Sequence, residues 1–273
     1  MPSVKFYGFY SCFLLLCNII FAQQPKLMLP IGHTSLINSI RFSPNGKYLV
    51  TASEDHTAKI WNFADRKLIL ELQGHTGGVN SAMYSPDGNY IVTSSEDSTA
   101  RIWNASDGRM LSILKGHANA LMTACYSQDG KNIITTSYDG TAKIWNAGNG
   151  DVVQEIKGVR SCAVYSPDGK NICFTTGDNK VLIYTVNGKM LRELAGHTAF
   201  ISSLNFSPDN RYIVTASWDG TVKNWDITTG KIASEIEMPD GFITSALYSP
   251  DGKYIVIASV AARLQSGMLM IRK

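Results

Sequence analysis

A four-residue turn of the form Ser-Pro-Asp-Gly recurs through most of the chain, and this repeat limits the fold more than any other feature of the sequence. Its six copies begin at Ser43, Ser85, Ser127, Ser166, Ser207 and Ser249, at intervals of 42, 42, 39, 41 and 42 residues. Three copies carry one substitution each, which are Asn45 for Asp, Gln128 for Pro and Asn210 for Gly. Asn and Gly tolerate positive φ, and Pro presets φ, so the motif remains a turn in all six places. A constant period of this length indicates a chain of similar units that pack against one another.

Each turn lies between two short apolar runs rich in β-branched and aromatic residues, such as 37–42 and 48–53 around the first turn. A second tight turn, Asp55-His56-Thr57, leads to a third run that ends at Trp61, and residues 68–72 close the unit. Four short strands per repeat, without competing helical periodicity, are typical of one blade of a β-propeller.

Paired signature residues at both ends of the repeat give residues 25–273 a close resemblance to the WD-repeat family. The opening Gly-His pair stands at Gly32-His33, Gly74-His75, Gly116-His117 and Gly196-His197, and the closing Trp-Asn or Trp-Asp pair begins at Trp61, Trp103, Trp145 and Trp225. The resemblance implies an all-β, six-bladed β-propeller of four-stranded antiparallel blades. The fourth and sixth repeats depart from the signature, and we expect these two blades to be the least rigid.

The strand count also predicts how the ring closes. Residues 26–31 precede the first Gly-His pair, so their register is that of an outer strand, whereas the sixth repeat stops after its third strand. We therefore expect the N-terminal strand to complete the last blade, which removes exposed strand edges. The WD-repeat family is more often seven-bladed, and a truncated seven-bladed ring is the alternative.

In the WD-repeat family, a His, a Ser or Thr, an Asp and a Trp form a buried hydrogen-bonded set in each regular blade. Such a set is physically sound, because a buried carboxylate needs donors, an indole N–H needs an acceptor and His can bridge them. A catalytic Ser-His-Asp triad occurs once, beside a cleft, so four copies at a fixed period favour a structural role, and we expect no catalytic residues. Carried over by motif, the sets are His33, Ser53, Asp55 and Trp61; His75, Ser95, Asp97 and Trp103; His117, Ser137, Asp139 and Trp145; and His197, Ser217, Asp219 and Trp225.

The N-terminal segment predicts export. Lys5 precedes a mostly apolar stretch, 6–21, which ends at Ala22 before the polar pair Gln23-Gln24. This order is typical of a secretory signal peptide, and the stretch is shorter than the roughly 20 residues that span a bilayer. We expect residues 1–22 to be cleaved, 23–273 to form the propeller, and the protein to be secreted or periplasmic without an integral membrane segment. An uncleaved anchor and a lipoprotein modified at Cys17 are the alternatives.

Charge and cysteine content narrow the classes of ligand. The chain has 25 Lys and Arg against 22 Asp and Glu, a formal net charge of +3, which is too weak a bias to indicate nucleic acid as a partner. Three cysteines remain after the signal segment, Cys125, Cys162 and Cys173, without the spacing of a metal site. We expect no metal and no cofactor. Cys162 and Cys173 flank the turn at Ser166, and a disulfide between them is left open.

In the resembled family one end of the ring, the top face, commonly binds proteins or peptides. By register, the residue before the turn Asp and two alternate residues near the start of the first strand point there. Trp218 stands where the first two repeats have Glu54 and Glu96, and aromatic side chains grouped on neighbouring blades are typical of binding hot spots. Burial of Phe200 and Phe242 between blades is the alternative. The candidate top-face residues are Leu36, Glu54, Glu96, Met122, Tyr138, Phe200, Trp218 and Phe242.

Together these features favour a non-catalytic, exported scaffold that binds a protein or peptide of unknown identity on the top face. A propeller that holds a peptide or carbohydrate at the channel mouth, with Trp218 as a stacking platform, is the second hypothesis. A propeller enzyme is the third, and the sequence contains no unique polar cluster to support it.

Overall fold

The computed structural model describes residues 32–238, 241–261 and 266–272, and within these ranges the chain forms 23 β-strands and no helix. The strands make six antiparallel sheets, which we number blades 1 to 6 in chain order. Five of these sheets have four strands in sequential order, and the last has three. None of the described segments forms a helix with the length and apolarity needed to span a membrane.

The first three blades follow the repeat closely. Blade 1 contains β1 (Ile37–Phe42), β2 (Tyr48–Ser53), β3 (Ala58–Asn62) and β4 (Leu68–Leu72). Blade 2 contains β5 (Val79–Tyr84), β6 (Tyr90–Ser95), β7 (Thr99–Asn104) and β8 (Met110–Lys115). Blade 3 contains β9 (Leu121–Tyr126), β10 (Asn132–Ser137), β11 (Thr141–Asn146) and β12 (Val152–Lys157).

The last three blades include the two irregular repeats. Blade 4 contains β13 (Val159–Tyr165), β14 (Asn171–Thr176), β15 (Val181–Thr185) and β16 (Met190–Leu194). Blade 5 contains β17 (Ile201–Phe206), β18 (Tyr212–Ser217), β19 (Thr221–Asp226) and β20 (Ile232–Glu237). Blade 6 contains β21 (Gly241–Tyr248), β22 (Tyr254–Ala261) and β23 (Ser266–Arg272).

The recurring Ser-Pro-Asp-Gly turn joins the first and second strands of each blade. In blade 2 the Ser85 hydroxyl lies 2.5 Å from the Asp87 carboxylate and accepts the backbone N–H of Tyr90 at 2.9 Å. Gly88 has a φ of 76°, in the left-handed region that disfavours most side chains. Asn210, which replaces Gly in blade 5, has a φ of 59°, and Asn is among the few side chains that accept this conformation.

Apolar residues of each blade pack against the next blade. Val50 and Ile60 of blade 1 form one cluster with Ile91 and Trp103 of blade 2, and all four are at most 4% exposed. Comparable clusters join each later pair of successive blades. Complete burial of a Val, Ile or Leu side chain contributes roughly 1.5–3 kcal/mol, so these clusters are the main source of stability.

Polar side chains on the first strands add bonds between neighbouring blades. Asn38 Nδ2 donates to the backbone carbonyl of Val79 at 3.2 Å. The Ser39 hydroxyl accepts the backbone N–H of Ala82 at 3.1 Å. The same acceptor role recurs in the pairs Ser81 with Ala124 and Ser203 with Ala246.

The predicted all-β fold of repeated four-stranded antiparallel sheets is confirmed. Residues 26–31, which we expect to add a fourth strand to blade 6, lie outside the described residues, as do the signal segment and its cleavage point.

Candidate functional site

A buried hydrogen-bonded set lies at one end of blades 1, 2, 3 and 5. In blade 3, His117 Nδ1 lies 2.8 Å from the Asp139 carboxylate, and His117 Nε2 lies 2.8 Å from the Thr135 hydroxyl. The Trp145 indole N–H donates to the same hydroxyl at 2.8 Å. A carboxylate can only accept, so His117 carries its proton on Nδ1 and the Thr135 O–H donates to Nε2. Every polar group in the set is then satisfied.

The hydroxyl in this set belongs to a residue that the sequence analysis did not name. We predicted Ser137, but the bridge between His117 and Trp145 is Thr135. Ser137 instead accepts the backbone N–H of Asp139 at 3.1 Å and donates to the carbonyl of Asn119 at 2.9 Å, so it stabilises the turn. Side chains two residues apart share one face of a strand, which is why both hydroxyls suited the pattern. In the other three blades Ser53, Ser95 and Ser217 likewise bond the turn, and the bridges are Thr51, Thr93 and Thr215.

The protonation states of this set follow from its surroundings. Burial alone would raise the pKa of Asp139, but hydrogen bonds from Thr141, the Ala118 backbone and His117 outweigh it and lower the pKa to about 2. Burial also lowers the pKa of His117, against the opposing effect of Asp139. The same directions hold for the sets that contain His33, His75 and His197. At neutral pH the imidazoles are therefore neutral and the carboxylates charged.

These shifts predict that stability falls continuously as the pH is lowered from 7 to 2. The unfolded histidines take up protons near their usual pKa of 6.5, whereas the folded ones resist protonation, so stability falls first between pH 7 and 5. The unfolded aspartates protonate near pH 4 and the folded ones near pH 2, which causes a second loss across that interval. Melting temperatures measured across this range will show both losses. A melting temperature that stays constant from pH 7 to 5 contradicts the proposed protonation states.

Blade 4 has the second turn, with its Asp at position 178, but lacks the His and the Trp of the hydrogen-bonded set. Asp178 accepts a hydrogen bond from the Thr176 hydroxyl at 2.5 Å and forms an ion pair with Lys180 at 3.1 Å. Its side chain is 62% exposed, against 12% for Asp139. No imidazole reaches Asp178, because this repeat has Gly158-Val159-Arg160 in place of Gly-His. Asp178 is therefore a natural comparison for the four buried aspartates.

The predicted top-face positions are brought together in pairs by the backbone. The N–H of Trp218 donates to the carbonyl of Phe200 at 2.9 Å, and the N–H of Tyr138 donates to that of Ala120 at 3.0 Å. The corresponding pairs in blades 1 and 2 are Glu54 with Leu36 and Glu96 with Gly78, both at 2.9 Å. In each of these blades, the backbone hydrogen bond holds the residue just before the first strand next to the residue that precedes the Asp of the second turn.

Three aromatic rings and one arginine form a continuous cluster at this end of blades 4 to 6, which we call the aromatic strip: Arg160, Phe200, Trp218 and Phe242. Phe200 is half-buried, and the other three side chains are exposed. The Trp218 ring lies 5.0 Å from Phe200 and 5.8 Å from Phe242, both edge to face. The Arg160 guanidinium lies 5.6 Å from the centre of the Phe200 ring. Trp218 is 43% exposed and Phe242 56%, so neither is part of the core between blades.

The other predicted top-face residues divide into exposed and buried ones. Tyr138 and Leu36 are 54% and 47% exposed, Glu96 is exposed, and Glu54 is half-buried. Met122 is buried, so the structure does not place it on the exposed face. Its equivalent in blade 1, Asn38, reaches across to the next blade, and this position therefore faces the neighbouring blade rather than solvent.

Two features of the site were not found from the sequence. The bridging threonines could have been found from the sequence. In four repeats a Thr stands two residues before the Ser that ends the second strand, as Thr135 does before Ser137. Arg160 could not be found in this way, because the fourth repeat lacks the Gly-His pair and its register is lost there. β13 pairs irregularly with β14 between Val159 and Ala163, and this irregular segment includes Arg160.

The cysteines and the leftover histidine occupy ordinary positions. Cys162 and Cys173 do not form a disulfide with each other, and Cys173 pairs across the hairpin with Val164 rather than with Cys162. His56, the one histidine that belongs to none of the four hydrogen-bonded sets, is exposed in the turn before β3 and has a φ of 70°.

Comparison with known proteins gives one match over most of the chain and several short ones. A protein-family model described as IFT122 first beta-propeller matches residues 24–266. U3 small nucleolar RNA-associated protein 21 of Saccharomyces cerevisiae is 44% identical over 50 residues, which is 18% of this chain and 5% of that relative. Its homolog in Schizosaccharomyces pombe is 50% identical over 42 residues, 15% of this chain and 5% of the relative.

These relatives overturn the predicted location. Both are named as small nucleolar RNA-associated proteins, which contradicts a secreted or periplasmic protein, and that prediction is wrong. The same names leave the exclusion of nucleic acid untested. The predicted location depended on residues 1–22 alone, and an apolar stretch behind one lysine is a short and permissive motif.

Proposed function

Because the chain belongs to the IFT122 first beta-propeller family of WD-repeat proteins, we propose that it is a non-catalytic scaffold whose top face binds a protein or an extended peptide. The fold suggests protein partners in general, since a ring of blades has no chemistry of its own and acts through its surfaces. More specifically, we propose that the partner binds at the top-face end of blades 4 to 6, where the aromatic strip lies.

The aromatic strip is the observation that carries this proposal. Trp218 and Phe242 keep about half of their surface in solvent, although each is large enough to stabilise a core. Trp, Tyr and Arg are the residue types most enriched among binding hot spots, and the strip contains two of these three types. The equivalent residues in blades 1 and 2 are Glu54 and Glu96, so the repeat itself does not require an aromatic side chain there.

The repeated hydrogen-bonded sets support a structural rather than a catalytic role for the imidazoles. Thr135, the hydroxyl beside His117, is fully buried and is already bonded to His117 and to Trp145. A nucleophile needs access to a substrate, and a buried hydroxyl has none. We therefore propose that the protein is not an enzyme.

We propose protein rather than RNA as the ligand, despite the names of the relatives. The segments shared with them are 50 and 42 residues long, little more than one repeat, so they support a common blade and no common RNA contact. Glu54 and Glu96 also place acidic groups on the top face, and these repel phosphate.

Affinity capture with two baits tests the proposed function. The wild-type chain and Trp218→Ala are immobilised at equal folded concentration and exposed to the same extract. Proteins held by the wild-type bait and lost from the variant are partners of the strip. An identical set on both baits contradicts the assignment of binding to this face.

We also propose that blade 6 meets blade 1 and that residues 26–31 supply its fourth strand, which gives a closed six-bladed ring. Ser245 supports this: its hydroxyl is buried and, within the described residues, has no hydrogen-bond partner. The equivalent Ser39 accepts the N–H of Ala82 in the following blade. By the same register, closure of the ring brings the backbone N–H of Ile40 in blade 1 to the Ser245 hydroxyl, a bond that the described residues do not form in this structure.

Removal of the proposed closing strand is expected to destabilise the protein. A chain that starts at residue 32 loses the hydrogen bonds of the outer strand of blade 6, so its melting temperature falls well below that of a chain that starts at residue 23. A chain that starts at residue 26 keeps the strand and serves as the control. Equal melting temperatures for all three chains argue for a different closure, including a seventh blade.

A further inference from the structure

We infer that the aromatic strip selects an extended peptide segment in which an acidic residue lies next to a large apolar residue, with the apolar side chain on Trp218 and the carboxylate on Arg160. This inference rests on the proposed function and adds the chemistry of the partner. It comes from three observations: the angles between the rings, the position of Arg160 and the distribution of charge over the top face.

The ring geometry favours an apolar anchor over a cationic one. Trp218 meets Phe200 at 62° and Phe242 at 68°, so each neighbouring ring presents its edge or face to Trp218 at a steep angle. A cage for a ligand cation needs several ring faces turned toward one point. Here the rings make one continuous apolar surface, which suits a Leu, Phe or Trp side chain laid across it.

Arg160 adds a positive charge to one end of this surface. The residue is exposed, and its guanidinium lies over Phe200, so the face of that ring is already occupied by a cation from the protein. A cation on the ligand would meet like charge there, whereas a carboxylate can form a bidentate pair with the guanidinium. The nearest acidic turn residue of the same blade, Asp178, is paired with Lys180.

The opposite side of the top face has the opposite sign. Glu54 and Glu96 occupy, in blades 1 and 2, the position that Trp218 occupies in blade 5. Neither forms an ion pair within the described part of the chain. Acidic groups on the partner are thus repelled from blades 1 and 2 and attracted to blade 4, so the face fixes the orientation of the segment as well as its location.

Selection from a displayed library of random 12-residue peptides tests this inference on the full chain. We expect the wild type to enrich peptides in which Asp or Glu is within two residues of Trp, Phe or Leu. Arg160→Glu is expected to lose this preference and enrich Lys or Arg at that place. The control is Arg109→Glu, an equal charge change at an exposed site in the turn before β8, which should select the same peptides as the wild type.

Fluorescence anisotropy with one enriched acidic peptide gives the magnitude. We expect Arg160→Glu to weaken its binding at least about tenfold and Arg109→Glu to leave it within twofold. Unchanged binding in Arg160→Glu, or enrichment of basic peptides by the wild type, overturns the inference.

The Trp218→Ala variant shows which proposal has failed. If Trp218→Ala also binds the peptide normally, the proposed function fails too. If Trp218→Ala abolishes binding and Arg160→Glu does not, only the inference about charge fails. A labelled single-stranded RNA 12-mer tests the remaining outcome. If the wild type binds this RNA tightly, Arg160→Glu does not, and no peptide is enriched, the strip binds nucleic acid, and both the proposed function and the inference are overturned.

Discussion

Asp139→Ala is expected to lower the free energy of unfolding by about 2–3 kcal/mol, because it leaves buried donors without an acceptor. The Asp139 carboxylate accepts hydrogen bonds from His117, from the Thr141 hydroxyl and from the backbone N–H of Ala118. Without it, the imidazole N–H keeps only the longer contact with the Thr141 hydroxyl, at 3.2 Å, and the Thr141 O–H and the Ala118 N–H lose their acceptor. In a domain of this size the melting temperature should fall by roughly 5–10 °C, which differential scanning calorimetry will measure.

Asp178→Ala is the matched control for this prediction. Asp178 occupies the same place in its repeat, but its side chain is largely exposed and its partners are Thr176 and Lys180. Loss of an exposed ion pair changes stability little, so the melting temperature of Asp178→Ala should stay close to that of the wild type. Equal losses in the two variants would show that the buried sets do not stabilise the blades in the way described.

Trp218→Ala is expected to weaken partner binding at least about thirtyfold while leaving the melting temperature nearly unchanged. Truncation of a Trp at the centre of a binding hot spot costs at least about 2 kcal/mol of binding free energy. In the free protein the Trp218 ring is 43% exposed, and the rings that it contacts, Phe200 and Phe242, belong to the aromatic strip. Isothermal titration with a captured partner and a thermal melt of the same preparation measure the two effects.

Trp225→Ala is the control, because it removes a tryptophan seven residues away that has the opposite role. Trp225 is 2% exposed and donates its indole N–H to Thr215 at 2.9 Å. Truncation of a buried Trp costs about 3–5 kcal/mol, so the melting temperature should fall sharply. Binding per folded molecule should remain. If Trp218→Ala instead unfolds the protein, Trp218 is a core residue and the assignment of the strip is wrong.

Most of the fold could be predicted because each repeat has the same pattern of turn residues and strand-forming residues. The bounds predicted around the first turn, 37–42 and 48–53, are those of β1 and β2. Six copies of one turn at nearly equal spacing support one another, so the ambiguity of any single copy matters less than it does for a lone strand. Local preference and long-range pairing agree throughout these blades.

The candidate site was predicted less completely, and for physical reasons. Strand periodicity determines which face of a strand a side chain occupies but not which of two hydroxyls on that face reaches the imidazole, so Thr135 was missed beside Ser137. It also does not separate a residue that faces solvent from one that faces the next blade, so Met122 was misplaced. Arg160 was missed because its repeat has no Gly-His pair to fix the register.

Hydrogen–deuterium exchange of the wild-type chain, with and without a captured partner, tests the central claim most directly. If the aromatic strip binds the partner, backbone amides at 198–202, 216–220 and 241–244 become protected in the complex, and those in the turns between the first and second strands do not. Protection confined to the outer strands, such as β4 and β8, or to the Ser-Pro-Asp-Gly turns at the other end of the blades, would contradict binding at the top face.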